Sequence, residues 1–191
     1  MQAPVCYRYW TRHEYDRLGE LGVLHEDEPV ELVGGHLIVA EPKGSLHATA
    51  VRLTADALRT AFGPGWIVLV QDPVALDDDS EPEPDVAVVP GGPRDYRAAH
   101  PARPALVVEV AESSLAFDRR VKGSLYARAG VADYWIVDLV DRTLEIHRGP
   151  VRAAAAQFGW RYGAVLIVGP EATASPVARP DARIAVGDLL P

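Results

Sequence analysis

Asp85 and Glu109 are the most informative polar residues of this chain, because each interrupts a run that otherwise predicts a buried strand. Asp85 opens Asp-Val-Ala-Val-Val directly after Pro84, and Glu109 lies within Leu-Val-Val-Glu-Val-Ala. A lone ionised carboxylate in apolar surroundings is strongly disfavoured unless it is paired or bound to a metal ion. Two such carboxylates, followed by Lys122 on the next predicted helix, indicate a divalent-metal site.

The predicted strand 105–111 places Glu109 toward the interior or into a cleft. Side chains alternate along a strand, so Glu109 shares one face with Val107 and Ala111. A strand that is apolar on both faces is typical of a covered, central strand. If the strand that Asp85 begins is its neighbour, the two carboxylates converge across one strand spacing of about 5 Å.

Two carboxylates of this kind suit Mg²⁺ or Mn²⁺. Mg²⁺ usually takes one or two protein carboxylates and completes its shell with water and substrate phosphate. Such an ion polarises a phosphodiester and lowers the pKa of a bound water. Lys122 lies on a mostly apolar helical stripe, one turn from Asp118 and one turn from Tyr126. There it could orient the attacking water or stabilise negative charge in the transition state.

Each of these residues, taken alone, also has a structural interpretation. Asp85 could accept backbone hydrogen bonds at the start of its strand, and Glu109 could pair with an arginine. Lys122 could extend past its apolar neighbours to water. The occurrence of all three on two strands and the following helix favours a metal site.

Length and composition indicate one domain over residues 1–191, long enough to bury a sizeable core. Cys6, the single cysteine, excludes an internal disulfide and is predicted to be chemically idle. No run reaches the roughly 18 apolar residues of a membrane span, and the N-terminus lacks the apolar core of a signal peptide. A cytoplasmic protein is expected.

The formal net charge of −8 argues against tight non-specific binding of nucleic acid, since such binding needs a basic face. Any basic face must be local, and a small group of basic residues meets this description: Arg119, Arg120, Lys122 and Arg128. Many of the acidic residues lie in the segment 77–85. Asp77-Asp78-Asp79 lacks the ligand spacing and the glycine of an EF-hand, so this segment is predicted to be a solvated loop.

Periodicity and turn residues predict a mixed α/β fold, a central sheet flanked by helices with additional N-terminal and C-terminal hairpins. The predicted helices are 11–21, which begins with a Thr11–Glu14 capping box, 46–61, which Ser45 caps, and 118–129. The predicted strands are 66–70, 85–89 and 105–111. Two hairpins are predicted, one over 30–40 with its turn at Gly34-Gly35 and one over 134–147. Residues 91–104 are predicted to be a loop, and the last forty residues irregular strands and loops, with 153–156 unassigned.

These segments resemble the Uma2-like endonucleases (DUF820), a bacterial branch of the PD-(D/E)XK nuclease superfamily, over roughly residues 9–190. The matching pieces are Glu-Leu-Val-Gly-Gly-His-Leu (31–37), Ser-Leu-His (45–47), Pro-Asp-Val-Ala-Val-Val (84–89), Leu-Val-Val-Glu-Val-Ala-Glu-Ser-Ser (106–114), Asp118, Lys122, Tyr126 and Gly-Val-Ala-Asp-Tyr-Trp-Ile-Val-Asp (130–138). The stretch 84–138 is the specific part of the resemblance.

The resemblance implies a restriction-endonuclease-like core in which Asp85 and Glu109 bind the metal. The superfamily lysine usually lies two residues after the glutamate, where this chain has Ala111, so the resemblance assigns its role to Lys122. It also implies site roles for Glu31 and His47. Their alternatives are a hairpin surface charge for Glu31 and a surface position in the first helical turn for His47.

The chain departs from the family pattern after the strand of Glu109. Members often have Ser-Pro-Ser-Thr there, whereas this chain has Glu112-Ser113-Ser114-Leu115, so that loop is expected to differ locally. Asp118 follows this loop, and its structural alternative is a cap of the next helix.

The leading hypothesis is a Mg²⁺- or Mn²⁺-dependent endonuclease acting on DNA, with a homodimer as a further option because nucleases that cut duplexes are often dimers. The alternative is a catalytically inactive nuclease-fold module for binding or assembly. The acidic net charge and the apolar residues Tyr134, Trp135 and Ile136 motivate that alternative.

Overall fold

The computed structural model describes residues 7–25, 28–39 and 43–191, so Cys6 lies outside the described part of the chain. The helices are α1 (Arg12–Glu20), α2 (Ser45–Phe62), α3 (Leu115–Phe117) and α4 (Gly123–Arg128), with a π-helical turn at Asp118–Lys122 and 3₁₀ turns at Pro93–Tyr96 and Val186–Leu189. The strands are β1 (Val30–Val33), β2 (His36–Val39), β3 (Trp66–Val70), β4 (Val86–Pro90), β5 (Leu106–Ala111), β6 (Asp133–Asp138), β7 (Thr143–Arg152), β8 (Trp160–Val168), β9 (Thr173–Ala174) and β10 (Ile184–Ala185). No helix in these ranges is long and apolar enough to cross a membrane.

Six strands form one mixed sheet in the order β3-β4-β5-β6-β7-β8, so the predicted mixed α/β fold is confirmed. Only β5 and β6 run parallel within it, and a parallel pair needs a crossover connection. The helical segment 115–128 provides that crossover. Two short antiparallel hairpins, β1–β2 and β9–β10, lie outside the sheet.

Apolar layers cover both faces of the sheet. All residues of β5 and β6 are buried, as expected for covered central strands. On one face, Val108 and Val110 pack in a cluster that includes Leu58 of α2. On the other, Val107 and Ala111 pack in a cluster with Tyr126 of α4. Glu109 lies on the same face of β5 as Val107 and Ala111, so its side chain enters the layer between the sheet and α4.

The capping, turn and periodicity patterns of the sequence predicted most helices and strands correctly. The Thr11–Glu14 capping box is present at the start of α1, and β1 and β2 pair across Gly34-Gly35 as predicted. Helix α2 begins at Ser45 itself, so the prediction of Ser45 as its cap was wrong; Gly44 holds that position without a side-chain bond. The predicted loop 91–104 contains the 3₁₀ turn Pro93–Tyr96.

The helical segment 115–128 begins three residues before the predicted start at 118. Its π-helical turn carries a bond from Gly123 N–H to the carbonyl of Asp118, and the Tyr134 hydroxyl donates to the same oxygen at 3.1 Å. A π turn adds a residue to the helical repeat and so changes which side chains face inward. Both Asp118 and Lys122, at the ends of the turn, are buried.

The prediction of irregular strands and loops at the C-terminus was only partly right, because it did not include a long regular strand. Residues expected to be irregular form β8, a nine-residue edge strand paired with β7, and 153–156 lie in the turn between them. Most β8 side chains are exposed, including Val165, Leu166 and Ile167. A strand with so little one-sided burial lacks the period-two pattern on which sequence-based assignment depends.

The acidic segment at 77–79 is held by an arginine, and the prediction of a solvated loop was therefore only partly right. Arg128 Nη2 donates to Asp77 Oδ2 and Ser80 Oγ, both at 2.9 Å, and also bonds to Asp79. Asp77 and Asp79 are half-buried, while Asp78 is exposed. These ion pairs tie the acidic segment to the end of α4.

The β1–β2 turn packs closely on the turn that follows β7. Gly34 has φ of +55°, and a Cβ atom there would lie 2.2 Å from Cε1 of Phe158. Such a contact requires a shift of neighbouring atoms. Gly34 therefore both permits the turn and lets the hairpin that carries Glu31 approach the rest of the protein.

Replacing Gly34 by Ala is expected to lower the free energy of unfolding by roughly 2–4 kcal/mol, combining a left-handed backbone penalty with overpacking. Gly22→Ala is the matched control, because Gly22 has φ of +67° with nothing within 4 Å of the added atom. Gly22→Ala should lower the free energy of unfolding only by the left-handed backbone penalty, roughly 1–2 kcal/mol. Urea unfolding measures both, and equal losses would contradict the packing argument.

Candidate active site

Strand pairing brings Asp85 and Glu109 together. Asp85 directly precedes β4, which pairs antiparallel with β5 through Val86 and Val108. The Asp85 N–H points at Glu109 Oε2 at 3.3 Å, and Val110 N–H donates to Asp85 Oδ2 at 2.9 Å. Asp85 thus accepts a backbone hydrogen bond, as its structural interpretation required, and also lies beside the second carboxylate.

Lys122 lies between two carboxylates. Its Nζ is 3.0 Å from Glu109 Oε1 and 3.2 Å from Glu31 Oε1, and its side chain is only 8% exposed. It does not extend to water, and Glu109 pairs with this lysine and not with an arginine. The Tyr126 hydroxyl donates to Glu109 Oε1 at 2.7 Å.

Glu31 and His47 are buried in the same cluster, so their interpretation as surface residues was wrong. The Glu31 Oε2 atom accepts a hydrogen bond from Glu83 N–H at 3.0 Å. Because His47 lies in the first turn of α2, its Nε2 reaches Asp85 Oδ2 at 3.0 Å. Its other ring nitrogen, Nδ1, is buried without a hydrogen-bond partner among the described residues.

Asp118 does not cap the helix. It lies within the helical segment, is 3% exposed, and accepts a hydrogen bond from Ser114 Oγ. The structure therefore collects every site residue that the sequence suggested into one buried cluster: Glu31, His47, Asp85, Glu109, Asp118, Lys122 and Tyr126.

Two neighbours of Asp85 were missed by sequence reasoning. Gln71 Nε2 donates to Asp85 Oδ1 at 3.1 Å, and Lys43 Nζ lies 3.4 Å from the same oxygen. Gln71 has φ of +56°, an uncommon conformation for a residue other than glycine. The pairing of Val70 with Val86 places Gln71 beside Asp85. The contact between Gln71 and Asp85 follows only from this strand register, which sequence patterns do not reveal.

The cluster gathers more negative than positive charge away from water. Burial raises the pKa of Asp85, but the hydrogen bond and charge of His47 outweigh it and lower that pKa to about 2. Burial, opposed by Lys122 and reinforced by the charge of Asp85, raises the pKa of Glu109 to about 8. Burial also raises the pKa of Asp118, to about 6. A further cation would relieve this imbalance.

Lys122 stays protonated in this setting. Burial lowers its pKa, but the charges of Glu109, Glu31 and Asp118 outweigh that effect and raise it above the ordinary lysine value. An ammonium group held in this way cannot accept a proton near neutral pH. Lys122 can therefore contribute a positive charge to the site, and two carboxylates hold that charge in place.

The donor set fits a hard divalent cation. Across 7–25, 28–39 and 43–191, no three acidic, histidine or cysteine side chains form a ready-made metal cluster. Mg²⁺ does not require one, because it usually takes only one or two protein carboxylates. Asp85 and Glu109 supply that pair, and the excess of buried negative charge favours a cation beside them.

A mixed sheet flanked by helices carries one carboxylate directly before a strand, a second on the neighbouring strand and a lysine on the next helical segment, which is the arrangement that the resemblance to nucleases implied. The chain belongs to the Uma2 family, "Putative restriction endonuclease", which matches residues 12–173. Its fold is similar to the crystal structure of "a putative nuclease belonging to DUF820" from Anabaena variabilis ATCC 29413, with a TM-score of 0.64, 15% identity, and coverage of 90% of this chain and 96% of that one. No protein of curated function matches the sequence.

Proposed function

We propose that this protein is a divalent-metal-dependent endonuclease that hydrolyses phosphodiester bonds in DNA, using Mg²⁺ or Mn²⁺. The observation that carries the proposal is a buried cluster of four carboxylates and one lysine, in which Lys122 pairs with Glu31 and Glu109: Glu31, Asp85, Glu109, Asp118 and Lys122. Membership of a family of nuclease type supports the reaction class. Nucleases commonly use divalent ions to stabilise the attacking and leaving oxygens.

Asp85 and Glu109 would hold the ion, which when bound polarises the phosphodiester and lowers the pKa of a coordinated water. The neighbouring side chains keep both carboxylates in position. His47 and Gln71 each bond to one oxygen of Asp85. Burial and the charge of Glu109 raise the pKa of Tyr126, so its hydroxyl stays protonated and donates to Glu109.

Lys122 would stabilise the negative charge that develops on the phosphoryl oxygens, because it remains a cation. Glu31 holds the Lys122 ammonium group at 3.2 Å and is a third carboxylate available to the ion or its water. Asp118 adds negative charge close to the same lysine. These roles for Glu31, Asp118 and Lys122 complete the proposed site.

One of the two observations that suggested a catalytically inactive binding or assembly module does not hold in the structure. Tyr134, Trp135 and Ile136, whose apolar character suggested a docking surface, are fully buried in the sheet. The acidic net charge remains and does not favour one function over the other. The cluster of buried charges favours catalysis, because ionisable groups that burial perturbs in this way are concentrated at functional sites.

Purified protein is expected to cleave supercoiled plasmid in Mg²⁺ or Mn²⁺ and to leave it intact in EDTA. Asp85→Asn should lower the initial rate by about 10³-fold, since several kcal/mol of charge stabilisation by the ion would be lost. Asp56→Asn, an exposed carboxylate on α2, is the matched control and should cleave like the wild type. Cleavage in EDTA, or equal rates in Asp85→Asn and the wild type, would refute the proposal.

We further propose that residues 1–191 form one domain that acts in the cytoplasm as a homodimer. The six-stranded sheet runs without interruption from β3 to β8, which supports one domain. Nucleases that cut duplexes are often dimers, which supports a dimer. Light scattering during size-exclusion chromatography tests the dimer, and a mass of one chain across micromolar concentrations would refute it.

A further inference from the structure

A groove of about 690 Å³ lies beside the helical segment 115–128. Its walls come from that segment, from the turn after β7 and from the beginning of β8. None of the side chains that form the candidate active site lines it. The groove and the active site therefore share the helical segment but are separate surfaces.

Positive charge is concentrated on this groove, in a chain whose net charge is negative. Arg119, Arg120 and Arg161 line it, with no aspartate or glutamate among its described lining residues. Arg152 adds a fourth guanidinium at the rim, 4.9 Å from the ring centroid of Trp160. Such a local basic surface is what an acidic protein needs if it is to bind phosphates.

Two of the four arginines are free to bind a ligand. Arg119 is already paired with Glu145, which also bonds to His147 Nε2 at 3.0 Å. In the part of the chain that the structure describes, neither the Arg120 nor the Arg161 side chain has a hydrogen bond or an ion pair, and both residues are exposed. An unpaired guanidinium presents a planar set of donors that matches phosphate oxygens.

We propose that this groove binds the sugar-phosphate backbone of the nucleic acid, with Arg120 and Arg161 contacting phosphates; this inference rests on the proposed nuclease function. The π-helical turn links the two surfaces. Asp118 and Lys122 at its ends face the candidate active site, while Arg119 and Arg120 between them line the groove. A strand held in the groove thus passes beside the turn that supplies the catalytic lysine.

The groove is suited to backbone contact more than to reading a base sequence. Arginine contacts to phosphate fix position and carry no sequence information directly. One neighbour of the Trp160 ring is the Arg152 guanidinium, which limits the use of that ring for stacking bases. Binding through this groove should therefore be sensitive to salt and tolerant of sequence.

The test is fluorescence anisotropy with a labelled 20-nucleotide DNA, single-stranded or duplex, in EDTA so that no cleavage occurs. Arg120→Ala/Arg161→Ala should weaken binding roughly 50-fold at 0.1 M salt and reduce the slope of log K against log salt by about 1.4–1.8, the contribution of two phosphate contacts. The control is Arg94→Ala/Arg97→Ala, which removes two exposed arginines after β4, at the other end of the sheet. Circular dichroism should show the same thermal midpoint for both double variants.

Equal affinity and equal salt slopes in the two double variants would overturn the proposal, as would a wild type that binds neither DNA. The cleavage assay separates this result from the proposed function. A wild type that cleaves DNA, with both double variants binding equally, refutes the groove alone. A wild type that binds through the groove and never cleaves in Mg²⁺ or Mn²⁺ supports the groove and refutes the nuclease.

Discussion

Glu109→Gln is expected to reduce DNA cleavage by about 10³-fold while changing the free energy of unfolding by no more than about 1 kcal/mol. The substitution removes the charge and one oxygen of a proposed metal ligand. The remaining amide oxygen can still accept from Tyr126 and Lys122, which both bond to Oε1. The ion pair with Lys122 becomes a hydrogen bond to a neutral amide, and the 3.3 Å contact with Asp85 N–H is lost. Relief of repulsion among the buried carboxylates offsets that loss.

Single-turnover cleavage of a labelled duplex in Mn²⁺ measures the first part of this expectation, and urea unfolding measures the second. Calorimetric titration with Mn²⁺ should show binding to the wild type and none to Glu109→Gln. Glu171→Gln, an exposed glutamate outside the site, is the matched control. Undiminished cleavage or undiminished Mn²⁺ binding in Glu109→Gln would remove Glu109 from the proposed site.

Lys122→Met is expected to lower the free energy of unfolding by about 3–5 kcal/mol, which is a large part of the stability of a small protein. The lysine is the buried cation among Glu31, Glu109 and Asp118, and methionine leaves their charge uncompensated. The methionine side chain has a similar length, so the loss arises from charge and not from a cavity. Urea unfolding in EDTA measures it.

Divalent ions should partly restore the Lys122→Met variant. An ion that binds only the folded state adds about 2.7 kcal/mol at a hundred times its dissociation constant. Mn²⁺ should therefore raise the unfolding midpoint of the variant, and Glu109→Gln in the same chain should remove much of the defect. Lys122→Arg, which keeps the charge, is the control. A Lys122→Met protein as stable as the wild type would show that the lysine does not balance these carboxylates.

Sequence reasoning found the chemical residues because their local context was unusual. Asp85 and Glu109 stand in strands that are otherwise apolar, and Lys122 stands in an apolar helical stripe. The cost of burying a charge depends mainly on whether its own strand or helix is covered, which hydrophobic periodicity indicates. The same local signals placed the capping box at Thr11 and the turn at Gly34-Gly35.

Sequence reasoning failed where the outcome depended on distant segments. The burial of Glu31 depends on how the β1–β2 hairpin packs, including the approach of Gly34 to Phe158. The π-helical turn, which buries Asp118 instead of leaving it as a cap, has no signature in composition. The length and bounds of β8 were not predicted, because its exposed side chains do not alternate in polarity.

The sequence by itself determined which residues needed an explanation: carboxylates and a lysine that local patterning would remove from water. Only the tertiary structure decided that they meet, that Lys122 lies between Glu31 and Glu109, and that Gln71 and His47 hold Asp85. The physical reason is the separation along the chain of the residues that determine each property. Burial of a residue follows largely from the pattern of its own element, whereas a contact distance follows from strand register and packing between elements far apart in the chain.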